Sequence, residues 1–506
     1  MKNTRLSSLS SCPTSLEIGH RLTHVLSVLI SVLFLAGCGG ALESETGQET
    51  ALLPFAQKEL AALGSLPLYK IAVEIYPDRS LLTGQQRLVY INSTGHPQRE
   101  LCFRLYPNLP AYGGKMQISQ ARVDGKTTIF SYEAEHTALR LTLPEPLPPG
   151  REAGIELVFS LEIPEISQDR IRNTPFGYGE GILCLPDFYP LMATCGEFEI
   201  PPGYADAVCS EVALYEVNVT APDEMVVVTS GRLASSSGET IAGAAGGERS
   251  TRRYLSGPMR NFALVMSADF QKQSTTAQGT TVNSYSLPND VEAGRSALWY
   301  AAAALRVYCD LFGPYPYIEM DVVEVPLGRR GMEYPGLVML GAELYRSGRE
   351  GLEFLAAHEV AHQWWYGLVG SDPVRHPWLD EGLAEHSTFF YYWYVHGPAS
   401  AQELLKTRWQ TPYSYAVDAG LDGAVAQTAE AFGDNDTYEL LAYAKAALFF
   451  DALRQALGDR AYLALLRRYL QEYKYRLASP QDFLDLAQEM SSQDLNPIYQ
   501  QWLQQK

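Results

Sequence analysis

The chain has 506 residues, 46% of them hydrophobic and 11% aromatic, with a formal net charge of −19 and a pI near 5.0. This length exceeds what one hydrophobic core usually serves, so we expect two or three globular domains rather than a disordered chain. The acidic balance and the lack of a long basic run argue against nucleic acid as a partner, because binding phosphates needs clustered Lys and Arg.

The N-terminus has the layout of a secretory signal peptide over residues 1–37. Basic residues precede an apolar run, 25–36, that is too short to span a bilayer comfortably. The run ends in Leu-Ala-Gly-Cys, which resembles the lipobox of bacterial lipoproteins. This resemblance implies lipid attachment to Cys38 and a location on the membrane surface of the bacterial cell envelope. The alternative is a buried helix of a cytosolic domain, which the polar, Gly-rich stretch after Cys38 disfavours.

Residues 38–65 are small and polar at first and then weakly helical, so we predict a tether. From 66 to 270, short runs alternate apolar and polar residues and end in Gly, Pro, Asn or Asp, which is typical of β-strands joined by turns. We therefore predict an all-β sandwich or saddle domain over 66–270. An exported compartment permits disulfides among the cysteines after Cys38, but their pairing stays open.

Helical periodicity begins near residue 290, and we predict a mainly α domain over 271–506. Its central motif is His-Glu-x-x-His, within a helical pattern that Gly370 could stop. Side chains four residues apart lie on one face of a helix, so His358 and His362 can bind one Zn²⁺ together. Glu359 falls beside that face, where it could act on a water at the metal.

A catalytic zinc usually has three protein ligands and a water, so a third ligand is expected. Glu381 lies near the start of the next predicted helix, and a helix–loop–helix hairpin could bring its carboxylate beside the two imidazoles. Glu385 lies four residues further on, on the same helix face. Two interpretations of Glu385 stay open: it accepts an N–H from a ligating His, or it is a solvated helix charge.

The segments HEVAHQWWYGLVG and HPWLDEGLAEH together resemble the zinc-binding region of the M1 family of metallopeptidases, the group that contains aminopeptidase N and leukotriene A4 hydrolase. The resemblance covers most of the chain after the leader. It implies an α+β multidomain fold, with a β-rich N-terminal domain followed by a thermolysin-like (gluzincin) catalytic domain. It also implies one zinc ion per chain, held by His358, His362 and Glu381, with Glu359 as the general base.

Two further segments match motifs of that family. Residues 330–334, Arg-Gly-Met-Glu-Tyr, resemble its Gly-x-Met-Glu-Asn motif, although the first Gly and the last Asn are replaced. The resemblance implies that Gly331, Met332 and Glu333 line the substrate site, and that Glu333 binds the free α-amino group of a peptide. The alternative is a glutamate at the turn of an edge strand. Tyr443, in Tyr-Ala-Lys-Ala-Ala, matches the tyrosine that stabilises the oxyanion in the family, and a core aromatic is the alternative.

The combined prediction is a zinc-dependent peptidase that releases N-terminal amino acids from peptides at the cell envelope. Larger M1 members add a helical C-terminal domain over the cleft, whereas this chain ends at Lys506, so we expect an open cleft. An endopeptidase is therefore an alternative, and so is a catalytically inactive, lipid-anchored binding protein on the same fold. Epoxide hydrolysis, found in one branch of the family, is a third alternative.

Overall fold

The computed structural model describes residues 47–166, 175–193, 198–237, 248–328 and 330–504. The predicted signal peptide and Cys38 lie outside these residues. None of the helices in the described part is long and apolar enough to cross a bilayer. Within the same part, Cys209 is disulfide-bonded, and the free thiols are Cys102, Cys184 and Cys309.

Three sheets make up the first half of the described chain. Their strands are β1 (Leu68–Tyr76), β2 (Leu81–Ile91), β3 (Gln98–Arg104), β4 (Lys115–Val123), β5 (Lys126–Thr127), β6 (Phe130–Glu133), β7 (Ala138–Leu147), β8 (Glu152–Glu162), β9 (Gly177–Gly179), β10 (Ile182–Pro186), β11 (Leu191–Met192), β12 (Leu214–Pro222), β13 (Val226–Thr229), β14 (Arg232–Ser237), β15 (Arg249–Leu255) and β16 (Ala263–Ser267). The largest sheet has eight strands in the order β14-β15-β12-β1-β2-β8-β4-β5, and the four-stranded sheets are β13-β16-β10-β9 and β11-β3-β7-β6.

The alternating side chains of these strands explain how the sheets pack. In β1, Tyr69, Ile71, Val73 and Ile75 are buried, while the residues between them are more exposed. Successive side chains of a strand point to opposite faces, so one face of the sheet packs on the core and the other faces outward. The predicted β-rich N-terminal half is confirmed.

A five-stranded sheet, in the order β17-β18-β19-β21-β20, opens the second half of the described chain. Its strands are β17 (Gln271–Ala277), β18 (Thr280–Ser286), β19 (Glu319–Val325), β20 (Gly331–Tyr334) and β21 (Leu337–Gly341). The edge strand β20 is antiparallel to β21, with Met332 opposite Met339 and Glu333 opposite Val338. The motif around Glu333 therefore lies on an edge of this sheet.

Helices form most of the remaining structure. They are α1 (Pro54–Ala62), α2 (Val291–Leu311), α3 (Ala342–Ser347), α4 (Arg349–Ala361), α5 (Trp378–His396), α6 (Pro398–Leu404), α7 (Thr411–Asp418), α8 (Asn435–Tyr438), α9 (Ala446–Leu457), α10 (Asp459–Tyr473), α11 (Pro480–Met490) and α12 (Asn496–Tyr499). Three segments are π-helical: Leu405–Gln410, Glu439–Lys445 and Gln500–Gln504. Two short strands, β22 (Val369–Gly370) and β23 (Arg476–Leu477), pair in parallel.

Helix α4 lies against α2, α5 and the strands β20 and β21. Its residues Leu352, Ala356 and Val360 are buried, and the Tyr308 hydroxyl of α2 donates to the carbonyl of Ala357 over 3.0 Å. A helix buried on several sides needs small and apolar residues around most of its circumference, which the sequence of α4 supplies. The β-rich half followed by this mainly helical half is the predicted α+β fold.

The described part of the predicted tether is folded, which differs from the prediction. Gln48–Ala51 form a 3₁₀ turn, α1 follows, and Leu52 is buried and pairs with Tyr317. The Gln48 side-chain amide donates to the carbonyl of Tyr215 over 3.2 Å. This segment has too few apolar residues for a clear periodic signal, yet Leu52 finds a buried place against another part of the chain.

Candidate active site

Helix α4 brings the two predicted histidine ligands together. The Nε2 atoms of His358 and His362 lie 3.1 Å apart, and both side chains are buried. The helix ends at Ala361, earlier than the predicted stop near Gly370, and His362 caps it with helical backbone angles. The four-residue spacing therefore still places the two rings on one face.

The turn after α4 sets the orientation of His362. Its Nδ1 lies 2.9 Å from the carbonyl oxygen of Trp365, which can only accept a hydrogen bond. Nδ1 must therefore carry a proton and donate it, and this leaves Nε2 with its lone pair in the neutral ring. Tyr366 follows at a φ of 126°, a value that a non-glycine residue rarely adopts, so the turn is tightly specified.

Helix α5 supplies the third donor. Oε2 of Glu381 lies 3.3 Å from Nε2 of His358 and 3.3 Å from Nε2 of His362. Helix α5 also packs closely on α9 at Gly382. A Cβ added to this glycine would lie only 2.8 Å from the Cβ of Ala446. The glycine next to Glu381 thus permits the close helix packing that positions the carboxylate.

The three donor atoms fit a tetrahedral zinc ion. Zinc binds imidazole nitrogen and carboxylate oxygen at about 2.0–2.2 Å, and tetrahedral angles then separate the donors by about 3.3–3.5 Å. The observed separations of 3.1, 3.3 and 3.3 Å are close to this value. The implied cofactor is therefore one Zn²⁺, with His358, His362 and Glu381 as its donors.

The charges of this cluster also fit a cation. Burial opposes ionisation of Glu381, but hydrogen bonds from His358 and His362 outweigh it and hold the pKa of Glu381 well below its usual range. Burial likewise disfavours the cationic form of His358, but hydrogen bonds to Glu381 and Glu385 raise its pKa to about 9. Without a metal, these carboxylates thus attract protons to the imidazoles, at the place where a divalent cation would supply the positive charge.

Glu385 contacts a ligand and is not a solvated charge. It is 2% exposed, and its Oε2 lies 3.0 Å from Nδ1 of His358. Its other oxygen accepts from Nε of Arg408 and from Nε1 of Trp409, each over 2.8 Å. Burial opposes the charge of Glu385, but the Arg408 guanidinium and the hydrogen bonds from His358 and Trp409 lower its pKa to about 2. An ionised Glu385 fixes the His358 ring so that Nε2 faces the other donors.

Glu359 lies beside the donor set, as its position in the motif predicts. It is buried and packs against Gly331, where a Cβ would lie 2.2 Å from Oε1 of Glu359. Only glycine leaves room for the carboxylate at this place. Among the described residues, no group donates to Oε2 of Glu359, and burial raises the pKa of this carboxyl to about 8 in the metal-free protein.

Strand β20 places Glu333 and Met332 in the same cavity as the donor set. This cavity has a volume of about 510 Å³, and Glu333 is 7% exposed. A carboxylate oxygen of Glu333 lies within 4.8 Å of donor atoms of both Glu359 and His362. Glu333 does lie on an edge strand, as the alternative interpretation held, but its carboxylate faces the donor set. A group bound by Glu333 would therefore be close to the metal position.

Tyr443 contacts the donor set directly. Its hydroxyl donates to Oε1 of Glu381 over 2.6 Å, and its ring stacks on that of His358 with centroids 5.9 Å apart. Tyr443 lies on the π-helical segment Glu439–Lys445, and such segments are frequent at functional sites. Burial and the charge of Glu381 raise its pKa, so the phenol keeps its proton. Its predicted role at the oxyanion stays a prediction.

Asp206 is a cavity residue that the sequence did not reveal. It lies in the loop between β11 and β12, lines the cavity with Glu333, and shares a side-chain hydrogen bond with Glu381. Burial and the neighbouring charges of Glu333 and Glu381 raise the pKa of Asp206 well above its usual value. Asp206 reaches the cavity because the β half packs against the helices. Its own sequence neighbourhood contains no motif that could have indicated this position.

The active-site cavity becomes narrow on the far side of Glu333. A small adjoining cavity of about 20 Å³ is lined by ten residues, among them Asp206, Glu333 and Asp380. Ala205, the neighbour of Asp206 in the chain, belongs to a packed apolar cluster, in which the rings of Tyr204 and Tyr438 are tilted with centroids 5.3 Å apart. A volume of this size suits a water molecule and excludes an amino-acid residue.

Residues 297–502 match the family model described as the peptidase family M1 domain. The chain carries a peptidase family M1 domain. This domain begins within α2 and includes the donors His358, His362 and Glu381, together with Glu333 and Tyr443. Asp206 lies outside the matched range and contributes to the cavity from the β half.

Curated relatives agree with this assignment. The chain is 26% identical over 318 residues to aminopeptidase M1-C of Oryza sativa subsp. japonica, which covers 58% of this chain and 34% of the rice protein. It is 29% identical over 245 residues to human endoplasmic reticulum aminopeptidase 1, covering 44% of this chain and 25% of that protein. The chain thus spans about a third or less of the length of these relatives.

Solved structures share the fold of the M1 domain and the β half. An M1 zinc metallopeptidase from Deinococcus radiodurans superposes with a TM-score of 0.66 at 20% identity, covering 87% of this chain and 93% of that one. A mutant of that enzyme bound to a Tyr-Ser-Ala substrate superposes with a TM-score of 0.65 at 21% identity, covering 87% and 94%. These likenesses confirm the predicted two-part fold.

Proposed function

We propose that this chain is a zinc-dependent aminopeptidase that removes the first residue of peptides. The observation that carries the proposal is the position of Glu333, a buried carboxylate in the same cavity as the three metal donors. A buried carboxylate pairs strongly with an ammonium group through charge-assisted hydrogen bonds. The curated relatives bear aminopeptidase names, and the structural neighbours are zinc metallopeptidases, which supports the same activity.

The residues of the site divide the chemistry among them. His358, His362 and Glu381 would hold zinc, which when bound polarises a carbonyl and lowers the pKa of a water toward neutrality. Glu359 takes the proton of the attacking water and returns it to the leaving amine, acting first as a base and then as an acid. Its Oε2 can accept this proton, because no group among the described residues donates to it.

Glu333 and Tyr443 contact two different groups of the substrate, its free amino group and the carbonyl oxygen of the cleaved bond. Glu333, with Asp206 beside it in the cavity, holds the free amino group of the substrate. Tyr443 turns its hydroxyl from Glu381 toward the developing oxyanion and stabilises it by a hydrogen bond. Because the small cavity behind Glu333 is too small for an amino-acid residue, only one residue precedes the cleaved bond.

The test uses a free peptide and its N-acetylated twin, with Glu333→Gln as the variant. We expect the wild-type protein to contain zinc and to cleave the free peptide at least about 100-fold better than the acetylated one, since a buried ionic contact is lost. Glu333→Gln should lose most of this difference in kcat/KM. Initial rates and zinc content measure both effects.

The same assay decides between the alternatives. Equal cleavage of both peptides by the wild-type protein would favour the endopeptidase and exclude amine anchoring by Glu333. A zinc-loaded protein that cleaves neither peptide, nor any aminoacyl arylamide, would instead be an inactive binding protein on this fold.

We further propose that Cys38 carries a lipid that anchors the protein to the membrane surface of the cell envelope. The support is the Leu-Ala-Gly-Cys ending of the apolar run before it. In a bacterial host, the wild-type protein should sediment with membranes and incorporate a labelled fatty acid, whereas Cys38→Ser should do neither. Arylamide hydrolysis serves as the control for folding of the variant. A wild-type protein that is unlabelled and absent from membranes would contradict the anchor.

A further inference from the structure

Arg408 presents a guanidinium group to the active-site cavity. It lies on the π-helical segment Leu405–Gln410, lines the cavity and has a side chain that is 46% exposed. Its Nε donates to Glu385 over 2.8 Å, and its guanidinium carbon lies 3.5 Å from the centroid of the Phe354 ring. These contacts fix the plane of the group. No described residue accepts a hydrogen bond from its two terminal nitrogens, so their N–H groups can donate to a bound molecule.

Arg330, the other arginine that lines the cavity, uses a terminal nitrogen for hydrogen bonds within the protein. Arg330 donates through Nη2 to Asn435 and to Glu439, each over 2.9 Å, so its charge is paired across the cavity. The Arg408 charge is also paired, by Glu385, but only through Nε. Of these two cations, Arg408 is the one with a guanidinium edge that can bind a further carboxylate side-on.

Arg408 and Glu333 lie near different parts of the donor set. Glu333 is close to His362 and Glu359, whereas Arg408 reaches His358 through the carboxylate of Glu385. The cavity thus has an anionic group near one imidazole and a cationic group near the other. A short peptide has the complementary charges, an ammonium at its first residue and a carboxylate at its last.

The spacing limits the length of such a peptide. Arg408 Nε lies 2.8 Å from Glu385, and Glu385 lies 3.0 Å from Nδ1 of His358. With the widths of the carboxylate and the imidazole, this path limits the distance from Arg408 Nε to Nε2 of His358 to about 10 Å. An extended chain covers about 3.3–3.6 Å per residue, so at most about three residues fit after the cleaved bond.

We infer that Arg408 binds the terminal carboxylate of the substrate, so that the preferred substrates are peptides of two to four residues with a free C-terminus. The inference rests on the proposed aminopeptidase function, in which Glu333 holds the other end. The terminal nitrogens of Arg408 donate two parallel hydrogen bonds to the carboxylate, while Nε stays with Glu385.

The test compares Ala-Ala-Ala with its C-terminal amide in the zinc-loaded protein. We expect the wild-type protein to prefer the acid about tenfold in kcat/KM, as a partly exposed charge-assisted pair allows. Arg408→Met should reduce this acid-to-amide ratio to about one, and Arg408→Lys should retain part of it. Because Arg408 also contacts Glu385, we expect both rates to fall together in Arg408→Met, and only the ratio reports carboxylate binding. A ratio of one in the wild-type protein, or an unchanged ratio in Arg408→Met, would overturn the inference.

Three further arms sharpen the result. Arg330→Met is the matched control and should leave the acid-to-amide ratio unchanged; loss of the ratio in this variant but not in Arg408→Met would overturn the assignment. Ala-Glu amide has a carboxylate on its side chain and none at its C-terminus. If the protein prefers Ala-Glu amide to the tripeptide amide but does not prefer the tripeptide acid to that amide, the inference is also overturned. Cleavage of alanine arylamide is the reference: activity there with no acid preference refutes the role of Arg408 alone, whereas no activity on any substrate refutes the aminopeptidase.

Binding gives a readout that does not depend on turnover. In the zinc-loaded Glu359→Gln variant, calorimetry should show about tenfold tighter binding of the tripeptide acid than of its amide. Adding Arg408→Met to this variant should make the two affinities equal. A difference that persists in the double variant would place the carboxylate elsewhere.

Discussion

Replacing Glu359 by glutamine should reduce kcat for peptide hydrolysis by about 10³-fold, the scale of a general acid–base contribution. Glutamine has the same shape and can keep the contact with Gly331, but it cannot take a proton from water. Glu359 is not one of the three donors, so the variant should still bind one zinc per chain. Steady-state rates and metal analysis of the same preparation measure both effects.

Asp436→Asn is the matched control for this variant. Asp436 also lines the cavity and loses the same charge, but it is exposed and outside the donor set. We expect its turnover to stay within a few-fold of the wild-type value. A Glu359→Gln protein with near wild-type turnover, or one that has lost its zinc, would contradict the assigned role.

Replacing Glu381 by alanine should remove zinc and with it nearly all hydrolysis. The variant leaves two imidazole nitrogens 3.1 Å apart without the carboxylate that completes the donor set. We expect the affinity for zinc to fall by more than the 10–100-fold that is typical when a partner of a ligand is lost. Competition with a chromophoric chelator gives the affinity, and metal analysis gives the stoichiometry.

Glu385→Gln provides the graded comparison. Its carboxylate contacts Nδ1 of His358 and does not belong to the donor set, so we expect its zinc affinity to fall by about 10–100-fold. The loss of zinc affinity should therefore be larger in Glu381→Ala than in Glu385→Gln. Equimolar zinc in purified Glu381→Ala, or a larger loss in Glu385→Gln, would show that the donor set is wrong.

The metal donors were accessible to sequence reasoning because their placement is largely local. His358 and His362 are four residues apart on one helix, and helical geometry alone puts them on one face. Glu381 follows on the next helix, which packs on the first. Even so, the end of the helix at Ala361 was not predicted, because the turn depends on the carbonyl of Trp365 and on the left-handed backbone of Tyr366.

Other parts of the site carry no local signal. Asp206 lies in a loop of the β half, and it approaches Glu381 only because two distant parts of the chain pack together. Arg408 lies on a π-helical segment without a motif, and its position beside the donor set is visible only from its contact with Glu385. The two interpretations of Glu385 could be separated only by its burial, which is a property of the folded chain.

By itself, the sequence determined the β-rich and helical halves, the zinc donor set and the neighbouring Glu359, because periodicity and short spacings follow from the geometry of strands and helices. The tertiary structure decided the shape and charge of the cavity around them: the carboxylate of Glu333 facing the donors, Asp206 beside it, and the guanidinium of Arg408 near the other imidazole. These contacts join residues far apart in the chain, and their positions depend on how the sheets and helices pack.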